Sequence, residues 1–307
     1  MDPVKGITFK IAAVMVFICM SSLIKATAPE VPPGEAVFFR SFFAIPVILG
    51  WLWWRGDLAT GLRVKSPMAH FWRGLVGTSA MGFGFAALGF LPLPDVTAIG
   101  YATPMLVVIF AAMFLGEEVR AFRLGAVALG LTGVLIILAP KLSLLENDMV
   151  SRGEALGAIL VLIAAVFAAL AGIHVRQMVK TEQTSAIVFF FSATASFLGL
   201  CTLPFGWVVP NAEQAAFLVT AGLLGGLGQI FLTSAYRYAD ASVVAPFDYT
   251  SMIFAVLIGF FIFDEVPTLQ TLIGGSIVIL AGVMIILREH SLGLKRGKAR
   301  QGMTPQG

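Results

Sequence analysis

Residues 240–266 read DASVVAPFDYTSMIFAVLIGFFIFDEV. This stretch is apolar for long enough to cross a bilayer, since about 20 helical residues span about 30 Å of hydrocarbon. Yet it carries Pro246, Asp248 and Tyr249. A carboxylate at membrane depth is costly unless it faces protein or a wet cavity, so Asp248 marks a candidate functional position.

A second stretch, residues 94–119, reads PDVTAIGYATPMLVVIFAAMFLGEEV. It too is an apolar span with an internal proline, Pro104, and a tyrosine, Tyr101, and it ends in two acids and a valine. With Glu118-Val119 laid on Glu265-Val266, Val96 falls on Val243, Ala98 on Ala245 and Thr103 on Thr250. Further out, Val37-Phe38-Phe39-Arg40-Ser41 resembles Val188-Phe189-Phe190-Phe191-Ser192, and residues 133–138 resemble residues 282–287. The shared order and a nearly constant offset of about 150 residues predict two copies of one membrane unit.

Composition fits. The chain has 307 residues, 58% hydrophobic and 12% charged, about half the charge of an ordinary soluble domain. The apolar runs predict ten spans, at 5–26, 35–54, 69–91, 94–115, 121–140, 153–175, 183–204, 213–236, 242–263 and 268–288. The first lacks a small-x-small cleavage site and is read as a retained helix. Sixteen of the 20 lysines and arginines then fall at ends and loops on the side of the N-terminus, against Lys25, Lys141 and Arg152 on the other. By the positive-inside rule both termini are cytoplasmic, at the inner membrane.

Five spans per unit is an odd number, so the second copy enters the membrane inverted. The expected fold class is therefore an all-α polytopic membrane protein, ten transmembrane helices in two inverted five-helix repeats. Its units are 1–145 and 146–290, with a basic cytoplasmic tail over 291–307. The acidic turn Glu117-Glu118 lies beside Arg120 and Arg123, whereas Asp264-Glu265 has no base near it in sequence. One turn is expected on each side of the membrane. Inverted repeats are the architecture by which secondary transporters alternate access.

These features resemble the drug/metabolite transporter superfamily, EamA type: the ten spans, the duplication, the arginine in Phe39-Arg40-Ser41, and the acidic turns Gly116-Glu117-Glu118 and Asp264-Glu265. The resemblance runs from residue 5 to 288. It implies a central cavity lined by both halves and a cargo among amino acids, vitamins such as riboflavin, nucleotide-like cofactors and other metabolites.

The substrate-binding residues expected are Arg40, Tyr101, Gln229, Asp248 and Tyr249. Asp248 lies about 9 Å into span 9 at 1.5 Å per residue, fit to hold a proton or pair with a cationic group. Arg40 clamps an anionic group, pairs with a carboxylate, or snorkels along its own helix. Tyr101 and Tyr249, at nearly corresponding places in the two copies, offer faces for a planar body, as do Trp72, Phe83 and Phe85. Gln229 follows Gly222-x-x-x-Gly226, a close-packing motif, and either lines the cavity or bonds a neighbouring helix. Pro104 and Pro246 free the carbonyls of Gly100 and Ser242, and are expected to bend their helices.

Other chemistries are disfavoured. No G-x-x-x-x-G-K-[ST] loop suggests ATP-driven pumping. Cys19 and Cys201 lie in apolar spans, and no Cys/His cluster suggests a metal. His70, His174 and His290 sit at span ends as ordinary interfacial residues, so no catalytic triad is expected. Neither a bound cofactor nor nucleic acid is expected; the partners are a small-molecule substrate and the lipid bilayer, and a homodimer is compatible with this reading. The alternatives are a non-transporting receptor or assembly subunit and, last, an intramembrane enzyme.

Overall fold

A computed structural model describes residues 3–115, 121–143, 149–178, 181–238 and 245–301. The acidic turn at Glu117-Glu118, Arg120 and the segment 240–244, with Val243 and the carbonyl of Ser242, lie outside the described residues. Among the described residues, apart from two short 3-10 turns, every regular element is α-helix: α1 Pro3–Thr27, α2 Pro33–Phe42, α3 Ala44–Trp54, α4 Pro67–Leu88, α5 Leu93–Gly100, α6 Ala102–Leu115, α7 Ala121–Ser143, α8 Met149–Met178, α9 Thr184–Leu200, α10 Ala212–Tyr238, α11 Thr250–Phe263 and α12 Leu269–Gln301.

Helices are what apolar sequence of this length forms in hydrocarbon, because each satisfies its own backbone. Among the described residues six are long and apolar enough to cross a membrane: Val4–Thr27, Pro33–Trp54, Leu93–Phe114, Leu124–Lys141, Arg152–Val175 and Ala212–Leu232. Three shorter apolar helices are Ser185–Leu200, Phe247–Phe263 and Leu269–Ile285. Helix α4 is not among them; it carries His70, Arg73, Thr78 and Ser79. The outward faces are apolar. Trp53 and Trp54 are 76% and 81% exposed, and Phe261, Ile262, Leu280 and Leu287 also point out, as lipid-facing side chains do.

Three spans depart from continuous α-helix within the described residues. The chain breaks at Phe43 between α2 and α3, at Tyr101 between α5 and α6, and through a 3-10 turn, Ala245–Tyr249, into α11. Pro46 and Pro104 each stand a few residues after the first two breaks, where the missing N–H frees the carbonyls of Phe42 and Gly100. Pro104 is an expected bend and Pro46 is not, though the same rule applies to both. Pro246 falls inside the 3-10 turn.

Helices pair as α1 with α10, α7 with α12, α4 with α8, α2 with α9 and α5 with α11. With no hydrophobic drive between helices in lipid, small residues decide which backbones approach. A β-carbon at Gly133 would lie 2.7 Å from the Gly274 carbonyl, and one at Gly274 2.5 Å from the Gly133 carbonyl. These glycines are the crossing point of α7 and α12. Likewise a β-carbon at Gly222 would lie 2.5 Å from Phe43 Cβ and one at Gly226 2.8 Å from Val47 Cβ, so the small-residue motif of α10 seats the α2–α3 break.

Gly274→Leu is expected to cost about 1–3 kcal/mol by overpacking. Thermal unfolding of the purified protein in detergent would show it as a lowered midpoint, whereas Gly50→Leu, with nothing near its β-carbon, should be neutral.

Candidate functional site

The interrupted spans bring Tyr101, Asp248 and Tyr249 together. The 3-10 turn holding Asp248 packs against α1 and α12, and Tyr101 closes α5. Ser251 Oγ donates to the Asp248 carbonyl at 2.7 Å. Its single proton is thereby spent, so Tyr101 OH donates to Ser251 Oγ at 2.5 Å. The Tyr101 and Tyr249 rings meet edge to face, centroids 5.0 Å apart. A β-carbon at Gly282 of α12 would overlap the Tyr249 hydroxyl, so that glycine admits the ring.

The partner of Asp248 is Lys10 of α1, Nζ to Oδ1 2.7 Å. The sequence reading had placed Lys10 among the bases at the N-terminal face, but it is 2% exposed inside the bundle. Its position seven residues into an apolar helix was the available signal. The pair is asymmetric: the Asp248 side chain remains 48% exposed, so the carboxylate is held by α1 yet open to a ligand.

Arg40 lies elsewhere. It is buried on α2, its guanidinium 5.8 Å from the Phe191 ring centre, and Arg73 of α4 sits 4.1 Å from the same ring. An Arg40–Asp248 pair is not formed. Arg73 had also been counted with the bases at the N-terminal face. Gln229 is half-buried on α10, beside Gly228, which closes on the Phe17 ring. Trp72 is half exposed, and Phe83 stacks on Phe167 at 5.8 Å. A cavity of about 340 Å³ lined by Ile24, Val31, Pro33, Phe85 and Phe90 among others opens where α1 ends, and none of the five expected binding residues lines it.

Around that end runs a polar belt that the sequence did not foretell. Lys25 Nζ donates to the carbonyls of Leu88 and Leu91 at 3.2 and 2.7 Å and pairs with Glu265 at 2.8 Å. Glu265 Oε2 accepts the Leu93 N–H at 2.8 Å. Asp264, in the left-handed conformation at φ 54°, turns the chain so that the Glu265 N–H bonds the Gly259 carbonyl. The acidic turn that had no base near it in sequence thus has one in space. Nearby, Lys141 pairs with Asp95 at 2.7 Å and with Glu154 at 3.3 Å, and Thr271 donates to Asp95 at 2.6 Å. Helices α1, α5, α7, α8, α11 and α12 are tied at one end.

At the opposite end Glu182, in the α8–α9 connection, accepts the backbone N–H groups of Lys65 and Ser66 at 2.7–3.1 Å. His70 Nε2 lies 3.4 Å from it. Burial pushes the Glu182 carboxyl up, but these donors outweigh burial and hold it below its ordinary value. His70 and His174 are not the solvated residues expected: His70 is 4% exposed, and His174 Nε2 is 2.9 Å from the Ala69 carbonyl.

Two outcomes follow. Lys10→Met and Asp248→Asn should each destabilise, by less than the ~3–5 kcal/mol of a fully buried pair because Asp248 is half exposed, and the double variant by less than the sum. Thermal midpoints of the four proteins form the cycle. Because the Glu182 carboxyl is depressed on folding, its contribution is complete above the ordinary carboxyl value near 4.5 and is lost as pH falls through the folded-state value. Between pH 6 and pH 3 the wild-type midpoint should therefore drop further than that of Glu182→Gln; parallel curves would contradict this.

Comparison with known proteins identifies the scaffold. The model of the EamA-like transporter family matches twice, over residues 4–139 and 155–288. A pseudopaline exporter of Pseudomonas aeruginosa is 30% identical over 281 residues, covering 91% of this chain and 95% of that protein. An S-adenosylmethionine uptake transporter of Rickettsia felis is 28% identical over 255 residues, 83% of each chain. A solved crystal structure superposes with a TM-score of 0.66 at 19% identity, over 92% of this chain and 97% of the other. With apolar helices facing outward and ion pairs joining helices within, the chain is a multi-pass membrane protein and belongs to the EamA-like transporter family, within the drug/metabolite transporter superfamily.

Proposed function

We propose that the protein is a secondary transporter that moves an amino-acid-related metabolite across the inner membrane by alternating access. The observation that carries this reading is the meeting of two interrupted spans, at Tyr101 and at Asp248-Tyr249, one from each stretch matched by the family model. Discontinuous helices meeting at a repeat interface form the substrate sites of such transporters.

Ten spans in two inverted repeats, 1–145 and 146–290, with a tail over 291–307, are part of the proposal. Counting interrupted helices as single spans gives five before residue 146 and five after it. The pairing of helices supports a two-fold relation: if α1 corresponds to α8 and α4 to α10, the α1–α10 contact maps onto α8–α4. The α2–α9, α5–α11 and α7–α12 contacts map onto themselves. With both termini cytoplasmic, the Lys25–Glu265 and Lys141–Asp95 belt lies on the external side. Its pairs then hold that side closed, and they must part for the cargo to pass.

Asp248, open beside Lys10, would take the ammonium group of the cargo or a proton; Tyr101 and Tyr249 would flank its body; Arg40 and Gln229 would line the path deeper in the bundle; and Pro104 and Pro246 would ease the helix bends. The named cargo of one relative, S-adenosylmethionine, is amino-acid-derived and supports that class. Riboflavin finds no such support. The relatives' names favour transport over catalysis and over a non-transporting role.

The test is counterflow of S-adenosylmethionine and labelled amino acids into proteoliposomes. Saturable flux is expected, reduced about 10-fold or more in Asp248→Asn, since a lost charged contact of about 1.5–3 kcal/mol corresponds to that factor. Flux that is unchanged in a well-folded Asp248→Asn protein would remove that residue from the mechanism.

A further inference from the structure

Arg40 and Arg73 are two buried cations that neither the belt nor the Lys10–Asp248 pair uses. Arg40 is 3% exposed. On both side chains Nε and Nη1 are buried and bond no protein group, and no ion pair reaches either guanidinium among the described residues. The two charges are close enough to repel one another. What they share is the face of Phe191, at 5.8 and 4.1 Å, and a single ring is a weak substitute for a counter-ion.

The sequence explains the missing carboxylate. Helices α4 and α9 contain no Asp or Glu at all, α10 has only Glu213 at its start, and α2 has only Glu35. Glu35 stands five residues before Arg40; its Oε2 accepts the Val208 N–H at 3.1 Å, its Oε1 is buried and bonds no protein group, and no ion pair joins it to either arginine. Around the arginines the fold supplies space and hydroxyls. A β-carbon at Gly77 would overlap Arg73 Nη1 and come within 2.9 Å of Phe191, and one at Gly225 would lie 3.0 Å from Arg40 Nε. Beside these residues in sequence, the hydroxyls of Ser41, Thr78 and Ser192 are buried and bond no protein group.

Unpaired buried guanidinium groups are costly in hydrocarbon, and housing two of them between glycines is unfavourable for packing alone. We propose that Arg40 and Arg73 form a clamp for the carboxylate of the cargo, with Phe191 as its floor. This rests on the transporter reading and narrows it: the cargo is anionic or zwitterionic, with a flat two-oxygen group that matches the guanidinium forks. Arg40 and Asp248 then serve opposite charges at separate places along the bundle, so an amino-acid head, whose acid and ammonium groups share one carbon, meets them in turn and not together. A phosphate offers similar oxygen chemistry, so inorganic phosphate is the control.

The test measures the thermal midpoint of the full chain in nanodiscs against S-adenosylmethionine, its decarboxylated analogue, the 20 standard amino acids and inorganic phosphate. At least one carboxylate is expected to raise the midpoint, and its decarboxylated or amide analogue and phosphate are not. Arg40→Gln and Arg73→Gln should each weaken that carboxylate about 10- to 100-fold, the worth of a charged hydrogen bond. Arg73→Lys, which keeps charge and loses the fork, should weaken it less, and serves where a Gln variant fails to fold. Stabilisation by phosphate alone, equal stabilisation by the decarboxylated analogue, binding unaffected by either substitution, or no carboxylate response overturns the clamp. Saturable flux alongside any of those results would leave the transporter reading standing, whereas carboxylate binding without flux of any cargo would leave the clamp and remove transport.

Discussion

A charge inside hydrocarbon has no water to solvate it, so it must meet its counter-charge or a carbonyl on another helix. The polar contacts of this protein follow from that constraint. Lys10 of α1 meets Asp248 ahead of α11, and Lys25 at the end of the same helix meets Glu265 just beyond α11. One helix is thereby fastened at both ends to a partner about 240 residues away in sequence. Lys141, Asp95, Glu154 and Thr271 repeat the device among α7, α5, α8 and α12. Such pairs are weak arguments for stability but strong ones for specificity, since each fixes which helices can be neighbours.

The same constraint acts on the backbone. A helix that stops within the membrane leaves carbonyls and N–H groups without partners, tolerable only where protein or a cavity answers them. At Tyr101 and Asp248 the answer is local: Ser251 takes the Asp248 carbonyl and Tyr101 takes Ser251. At Phe43 it is steric, the break resting on Gly222 and Gly226. Interrupted helices, close-packed glycines and cross-helix ion pairs are thus three consequences of one solvent.

Sequence legibility followed the range of each interaction. Asp248, Tyr249 and Tyr101 were legible because a carboxylate or a mid-span tyrosine is conspicuous against apolar neighbours, and the repeat alignment set the tyrosines one residue short of matching places. Lys10 and Arg73 were not, since both lie near enough to span ends to be taken for interfacial bases; burial came from the helices around them. Phe191 was one of 26 phenylalanines; the repeat comparison laid it on Arg40, but nothing in either stretch said that the two side chains would meet.

By itself the sequence determined that the chain is helical and lives in a membrane, because apolar runs of this length and sparsity of charge leave few other structures open to it. The order and offset of two similar motifs pointed to a duplication, and the family model likewise matches twice. Only the tertiary structure decided which charges are paired. The acidic turn at Glu265, without a base nearby in sequence, meets Lys25 because α1 and α11 end on the same side of the bundle. Arg40, which had a carboxylate to hope for in Asp248, meets Arg73 instead. Pairing is a property of distances between helices, and those are fixed by small-residue crossings such as Gly133 with Gly274, which local sequence does not express.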